Sequence, residues 1–273
     1  MRHRVLGAMV LLCLFGAGSA FAASASVSSP PNSYSGNFAV AGATGSSAKP
    51  TAVALSETLG MSSTTQGNVG APLVDIKTTT FGVKAPNAAM FPTCSVAKIS
   101  ANNGNSGKWN AVCPKGSLVA TGTVTAALTS PSKNLAGPGA PCALGLWVYN
   151  GGPGKLTFFF TTTPAQCDGL TTGDAAPWLG KVSESGKNLV TNVPEPADVS
   201  YNAGNIGLFG SLQTEVLHFK KMSVKKGKKT YPFIESFGCT KHSRPFTITY
   251  AATQSNTGSP TEAVGTVKGS ASC

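Results

Sequence analysis

The stretch "HFKKMSVKKGKKTY", residues 218–231, places six lysines in ten positions: Lys220, Lys221, Lys225, Lys226, Lys228 and Lys229. Ammonium groups at that density attract polyanions through a field that salt screens over about 8 Å at physiological strength. Arginine, the side chain suited to bidentate phosphate and base recognition, is absent from the cluster. The pattern therefore points to diffuse attraction to an anionic wall polymer or surface, not to specific nucleic acid recognition. A plainer reading stands beside it. Lysines at the tip of a hairpin stay in water and discourage edge-to-edge strand pairing.

Catalytic constellations are sparse. His218 and His242 lie in neither H-x-x-x-H nor H-E-x-x-H spacing, so no metal site is implied, and no motif implies a cofactor. His242, Ser243 and Glu235 can be drawn as a nucleophilic triplet, but no G-x-S-x-G elbow accompanies them. S-x-x-K occurs at Ser46/Lys49, Ser95/Lys98, Ser130/Lys133 and Ser223/Lys226 without the S-D-N or K-T-G partners of acyl-serine enzymes. Two carboxylates at a set separation would suit glycoside hydrolysis. Glu215 and Glu235, on the two arms flanking the lysine cluster, could face each other there, or each could pair with a neighbouring lysine. Of the tryptophans, Trp147 reads as core and Trp178 as an exposed ring of the kind that binds sugars, while Trp109 stands apart from both. No catalytic residue is assigned.

These residues need a scaffold, and the first 27 residues, "MRHRVLGAMVLLCLFGAGSAFAASASV", say where it is built. Arg2 and Arg4 precede an apolar run too short for the roughly 20 residues of a membrane span, and small residues follow. This is the pattern of a Sec signal peptide over residues 1–22, cleaved between Ala22 and Ala23. Leu12 before Cys13 is too large for a lipobox. The expected mature chain is secreted or extracytoplasmic and has no transmembrane segment. It keeps 19 Lys and Arg against 10 Asp and Glu, and its one arginine is Arg244.

Six cysteines then remain: Cys94, Cys113, Cys142, Cys167, Cys239 and Cys273. An even count in an exported chain implies disulfides. Six allow 15 pairings. Sequential pairing, Cys94–Cys113, Cys142–Cys167 and Cys239–Cys273, is the expectation, each loop contributing roughly 3 to 4 kcal/mol in the chain-entropy model.

The body of the chain reads as β. "SLVATGTVTAAL" and "RPFTITYAA" alternate apolar and polar residues, the period of a half-buried strand. "ALGLWVYNGGPGKLTFFFTTT" is two such runs around a Gly-Pro turn, and "KKGKK" lies between two more. Further strands are expected in 37–42, 50–56, 72–84, 187–193, 211–224 and 261–269, and one helical turn in "NAAMFPTCSVAKI". Residues 23–36 are small, polar and proline-interrupted, and read as a flexible tail. Residues 37–273 read as one large antiparallel β-sandwich, immunoglobulin-like or jelly-roll-like and stapled by disulfides, with a loose excursion over 168–205.

The blocks "FPTCSVAKI", "CPKGSLVATGTVTA", "CALGLWVYNGGPGKLTFFF", "SVKKGKKTYPFIESFGC" and "RPFTITYAA" occur in that order before a final cysteine. Together they resemble an uncharacterised family of secreted actinobacterial β-rich proteins. The resemblance covers residues 70–273. It implies export, a β-rich fold and a Lys-Gly-Lys hairpin before a cysteine, and it carries no catalytic residues. The leading functional expectation is an exported, non-enzymatic protein with a binding or structural role at the cell envelope or outside the cell. The alternatives are polyanion binding through Lys220–Lys229 and a hydrolase with an unrecognised site.

Overall fold

A computed structural model describes residues 25–102, 109–130, 135–170, 176–195, 207–253 and 263–273. The signal segment with Ala22 and Ala23 lies outside the described residues. The strands are β1 (Ala25–Ser29), β2 (Asn32–Ala41), β3 (Thr51–Ala52), β4 (Ala54–Ser63), β5 (Leu73–Phe81) and β6 (Val83–Lys84). Two short helices follow, α1 (Val96–Ser100) and α2 (Trp109–Val112). Next come β7 (Leu118–Thr129), β8 (Ala140–Gly152), β9 (Lys155–Thr161), β10 (Trp178–Ser185), β11 (Asn188–Pro194) and β12 (Phe209–Phe219). The chain closes with β13 (Ser223–Lys226), β14 (Lys229–Pro232), β15 (Glu235–Ser236), β16 (Ser243–Ala252) and β17 (Ala263–Ser272).

The fold is all-β with little helix, as the alternating runs imply. Twelve strands form one antiparallel sheet in the order β1-β2-β4-β12-β7-β8-β9-β10-β11-β5-β16-β17. The sheet nearly closes on itself, β17 returning against β1 and β2. Its walls face each other across one apolar core, as the layers of a sandwich do. Leu55, Leu59 and Met61 of β4 point inward with Leu217 and Phe219 of β12, Ile76 of β5 and Phe158 of β9. Ser56, Thr58, Thr123, Thr214, Thr247 and Thr266 alternate to the outside. This hydroxyl-lined exterior around a filled apolar interior is the reverse of a lipid-facing barrel, whose outer band is apolar. Among the described residues no helix is long and apolar enough to cross a membrane.

The two ends of the sheet meet at a seam of side chains rather than backbone hydrogen bonds. Tyr34 of β2 and Tyr250 of β16 stack with ring centroids 4.7 Å apart. The Tyr250 hydroxyl donates to the Ser35 carbonyl at 2.6 Å. Asn32 donates to the Tyr34 hydroxyl at 3.0 Å, and its side-chain oxygen accepts from the Ala71 amide at 2.7 Å.

Two expectations need correction. Residues 25–29 and 32–41, within and beyond the expected tail, are paired strands β1 and β2 that supply one side of this seam. Ser26, Ser28, Ser33 and Ser35 face outward while Tyr34 and Phe38 face inward, so a polar composition hid a period-two pattern. The excursion at 168–205 likewise contains β10, besides β11 where a strand is expected over 187–193, and the two pair with each other and with β9 and β5.

The disulfides follow the sequential order. Cys94–Cys113 ties the start of α1 to the end of α2, Cys142–Cys167 ties β8 to the turn Pro164–Cys167, and Cys239–Cys273 ties the chain end to the segment after β15. Bridges of this kind belong to an oxidising compartment.

Closure at the seam is testable. A Cβ on Gly265 of β17 would overlap the Tyr34 ring. Gly265→Val is expected to cost about 1–3 kcal/mol by overpacking, read as a lower urea midpoint. An unchanged midpoint would show that β17 does not sit on Tyr34.

Candidate functional site

Two regions gather chemistry-bearing side chains, one inside the sheet and one at its edge. The interior region is built on β4 and β12. In their register Glu57 lies opposite Leu217 and Glu215 opposite Leu59. Both glutamates therefore share the inward face as diagonal neighbours, roughly 7 Å apart at the backbone. Glu57 is 7% exposed and Glu215 9%. Glu195, half-buried just past β11, lines the same cavity with Trp178, Phe158 and Phe160. The cavity leaves about 30 Å³ for water centres, room for about two waters and none for a sugar ring. Among the described residues no group of acids, histidines or cysteines could hold a metal ion.

Burial dominates the titration of these acids. It pushes Glu57 up to about 7, against a smaller opposite effect from the Thr78 hydroxyl, which donates to Glu57 Oε1 at 2.5 Å. It pushes Glu195 up to about 8, helped by repulsion from Asp75. It pushes Glu215 well above the usual range, helped by the charges of Glu57 and Glu195. The phenols of Tyr34 and Tyr250 are also held above their usual range by burial, and Glu57 and Glu215 add to the effect on Tyr250. Lys155, on the adjoining cavity that Glu57 also lines, is exposed. The Asp75 carboxylate is engaged by Asn192, at 2.8 and 2.6 Å. The interior is thus a proton-holding environment.

The edge region is the lysine segment. β13 and β14 pair from Ser223↔Pro232 to Lys226↔Lys229, leaving Gly227 and Lys228 as a two-residue turn. Gly227 has φ +60°, which the first central position of a II′ turn requires and glycine supplies. Lys225, Lys226, Lys228 and Lys229 are exposed at this tip, and Lys220 and Lys221 are exposed where the chain leaves β12. Among the described residues the one ion pair is Lys84–Glu184, at 3.3 Å. Among the described residues no carboxylate pairs with any of the six lysines. Arg244 is 2% exposed and donates to the Ser236 hydroxyl at 2.7 Å, so it supplies no surface charge.

The other sequence candidates separate. Glu215 faces the core, while Glu235 lies in the small sheet β3-β15-β6 opposite Lys84, so the two do not face each other and neither pairs with the lysine cluster. Ser243 donates to the Thr240 carbonyl at 3.0 Å in the turn that holds His242, away from any triplet geometry. His218 Nδ1 instead meets Ser56 Oγ at 2.9 Å on the exposed outer face. Ser46 and Ser95 accept from the backbone amides of Lys49 and Lys98, at 3.1 and 3.3 Å, which accounts for those two S-x-x-K matches as a turn and a helix cap. Lys133 lies outside the described residues, as does the Trp109 side chain. Trp178, expected at the surface, is 8% exposed and stacks near Phe158 and edge-on to Phe160. Trp147 packs partly buried and donates to Thr161 at 3.3 Å.

No family model matches the chain, and no similar curated protein or solved structure is found.

The interior acids give the protein a defined pH dependence. Glu57 titrates near 7 when folded and near 4.5 when exposed. Between those values the folded chain keeps a proton that the unfolded chain has released. The Glu57 contribution to stability is therefore full below about pH 4.5 and is lost as pH rises through 7, about 3 kcal/mol in all. Urea unfolding at pH 5 and pH 8 is expected to show this decline, and Glu57→Gln is expected to flatten it. A wild-type profile that rises towards pH 8 would mean the acids are not held protonated.

Proposed function

We propose that this chain is an exported, non-enzymatic binding protein that attaches to an anionic polymer through the lysine-rich edge of its sheet. The observation that carries this reading is the hairpin itself. Six cations are held in water within ten residues, four of them at a tight turn, with no carboxylate among the described residues to neutralise them. Concentrating like charge is costly in isolation, and an anionic partner relieves that cost. The three disulfides support an extracytoplasmic setting, and the signal-like leader supports export. Wall polymers rich in phosphate or carboxylate are the partner class that such a setting offers. Lysine without arginine supports a contact made by charge density rather than by bidentate geometry.

The interior acids do not compete with this reading. Glu57 and Glu215 face a cavity of water size that a polymer cannot enter. Nucleophilic or acid-base attack on a polysaccharide needs groups that the substrate can reach.

Each lysine in contact with the polymer is expected to contribute at most about 1 kcal/mol. Retention on isolated cell wall should weaken stepwise as Lys225, Lys226, Lys228 and Lys229 are changed to Gln, and it should largely vanish by about 0.5 M salt. Equal retention of wild type and the fourfold variant would remove the hairpin as the anchor. Retention that survives high salt would remove the electrostatic mechanism.

A further inference from the structure

We propose that the base of the lysine hairpin contains a discrete pocket for one anionic sugar unit, resting on the polymer-binding reading and separate from the hairpin tip. An open groove of about 700 Å³ runs between the β7 entrance and the end of β12. That is the size of a small-molecule cleft, against the water-sized cavities inside the sheet. Lys115, Lys220 and Lys221 supply three cations around it, and Pro114, Leu118 and Met222 supply apolar surface. Among the described residues no carboxylate lines it. Charge complementarity selects an anion, and the apolar wall selects a ligand with a carbon body. A phosphate or carboxylate on a sugar ring has both.

The groove is fixed by the fold rather than by flexible side chains alone. The Ser117 amide donates to the Pro114 carbonyl at 3.0 Å, closing a turn with Lys115 at one corner and Gly116 at φ +88° at the next. That is type II geometry, which projects the Lys115 side chain outward. Cys94–Cys113 anchors the residue before this turn. The Asn150 amide donates to the Ser117 carbonyl at 2.8 Å, and the buried Asn150 side chain donates to the Ala88 and Pro92 carbonyls at 3.0 and 3.1 Å. On the opposite side the Lys220 amide donates to the Val119 carbonyl at 2.9 Å, and the Phe233 amide to the Met222 carbonyl at 3.0 Å. The lysines thus leave a braced backbone at both rims. Tyr149 also lines the groove; its ring is 1% exposed and its hydroxyl has no hydrogen-bond partner.

Calorimetric titration with glucose 1-phosphate, glucose and inorganic phosphate tests the proposal on three proteins. These are wild type, the groove variant Lys115→Gln/Lys220→Gln/Lys221→Gln, and the hairpin variant with Lys225, Lys226, Lys228 and Lys229 all changed to Gln. Circular dichroism and the urea midpoint establish that each is folded. Glucose 1-phosphate is expected to bind wild type and the hairpin variant alike, and the groove variant about tenfold more weakly. Absence of binding to wild type, or equal binding by a folded groove variant, overturns the pocket. Equal affinity for inorganic phosphate overturns the sugar component, and equal affinity for glucose overturns the anionic one. Wall retention is measured in parallel. If glucose 1-phosphate binds in the groove while no protein is retained on the wall, the polymer reading fails and the pocket stands. If retention depends on the hairpin while the sugar phosphate does not bind, the reverse holds.

Discussion

The contact between Tyr34 and Tyr250 is the constraint on which the rest of the molecule depends. A sheet of twelve strands has two edges, and exposed edges invite pairing with other chains. Here the edges approach without a backbone ladder between them, so side chains must bring them together. The stacked rings and the Tyr250 hydroxyl bond to Ser35 cross that gap. Stacking of this kind contributes about 0.5–1.5 kcal/mol beyond area burial. Its geometric effect is larger than its energy, because it turns an open sheet into an enclosing wall. Gly265 is part of the same device, since only a residue without a Cβ lets β17 lie against the Tyr34 ring.

Enclosure then decides the chemistry of the acids. On an open sheet Glu57 and Glu215 would meet water and ionise at ordinary carboxylate values. Inside the wall they meet leucine, phenylalanine and tyrosine, and their mutual repulsion adds to the cost of charge. Among the described residues no arginine or lysine offsets it from within: Arg244 is engaged by Ser236, whose hydroxyl in turn donates to the Thr44 carbonyl. The neutral carboxyl form is the consistent solution, and Glu57 in that core accepts a hydrogen bond from the Thr78 hydroxyl. Polar groups at core positions break the local pattern that specifies a fold, and their retention marks a conflict between stability and another requirement.

Much of this was legible in the sequence, and the exceptions have physical reasons. Alternation revealed β7, β16 and the β8–β9 hairpin, whose turn at Pro153 and Gly154 is the Gly-Pro punctuation that the chain displays. The even cysteine count led to the three bridges because sequential pairs are also spatial neighbours. β1 and the first half of β2 are hidden because serine dominates their outer face, and β10 because a short strand beside glycines carries few apolar positions, whereas the runs 37–42 and 187–193 do read as strands and fall in β2 and β11. The interior acids carried a usable signal. In "ALSETLGM" Glu57 falls in phase with Leu55, Leu59 and Met61, and in "QTEVLHF" Glu215 falls in phase with Leu217 and Phe219. Parity alone places both on the apolar face. Their meeting is not written there, because it depends on the β4–β12 register and on closure of the sheet. The groove at Lys115 was hidden for a similar reason: it joins residues about a hundred positions apart in the sequence.

The same arrangement links the inside of the wall to its outside. A neutral Glu57, Glu195 or Glu215 contributes no negative charge to the field beyond the sheet, whereas the exposed lysines contribute fully. Three of the ten acids therefore drop out of the charge balance when the interior is protonated. Acidification has two effects in the same direction. It removes the cost of ionised carboxyls in the core, and it raises the net positive charge of the chain. Alkalinisation reverses both, because the interior acids ionise where no cation can answer them. Proton occupancy inside and net charge outside are thus coupled through one closed wall, although among the described residues no lysine forms an ion pair with an interior glutamate.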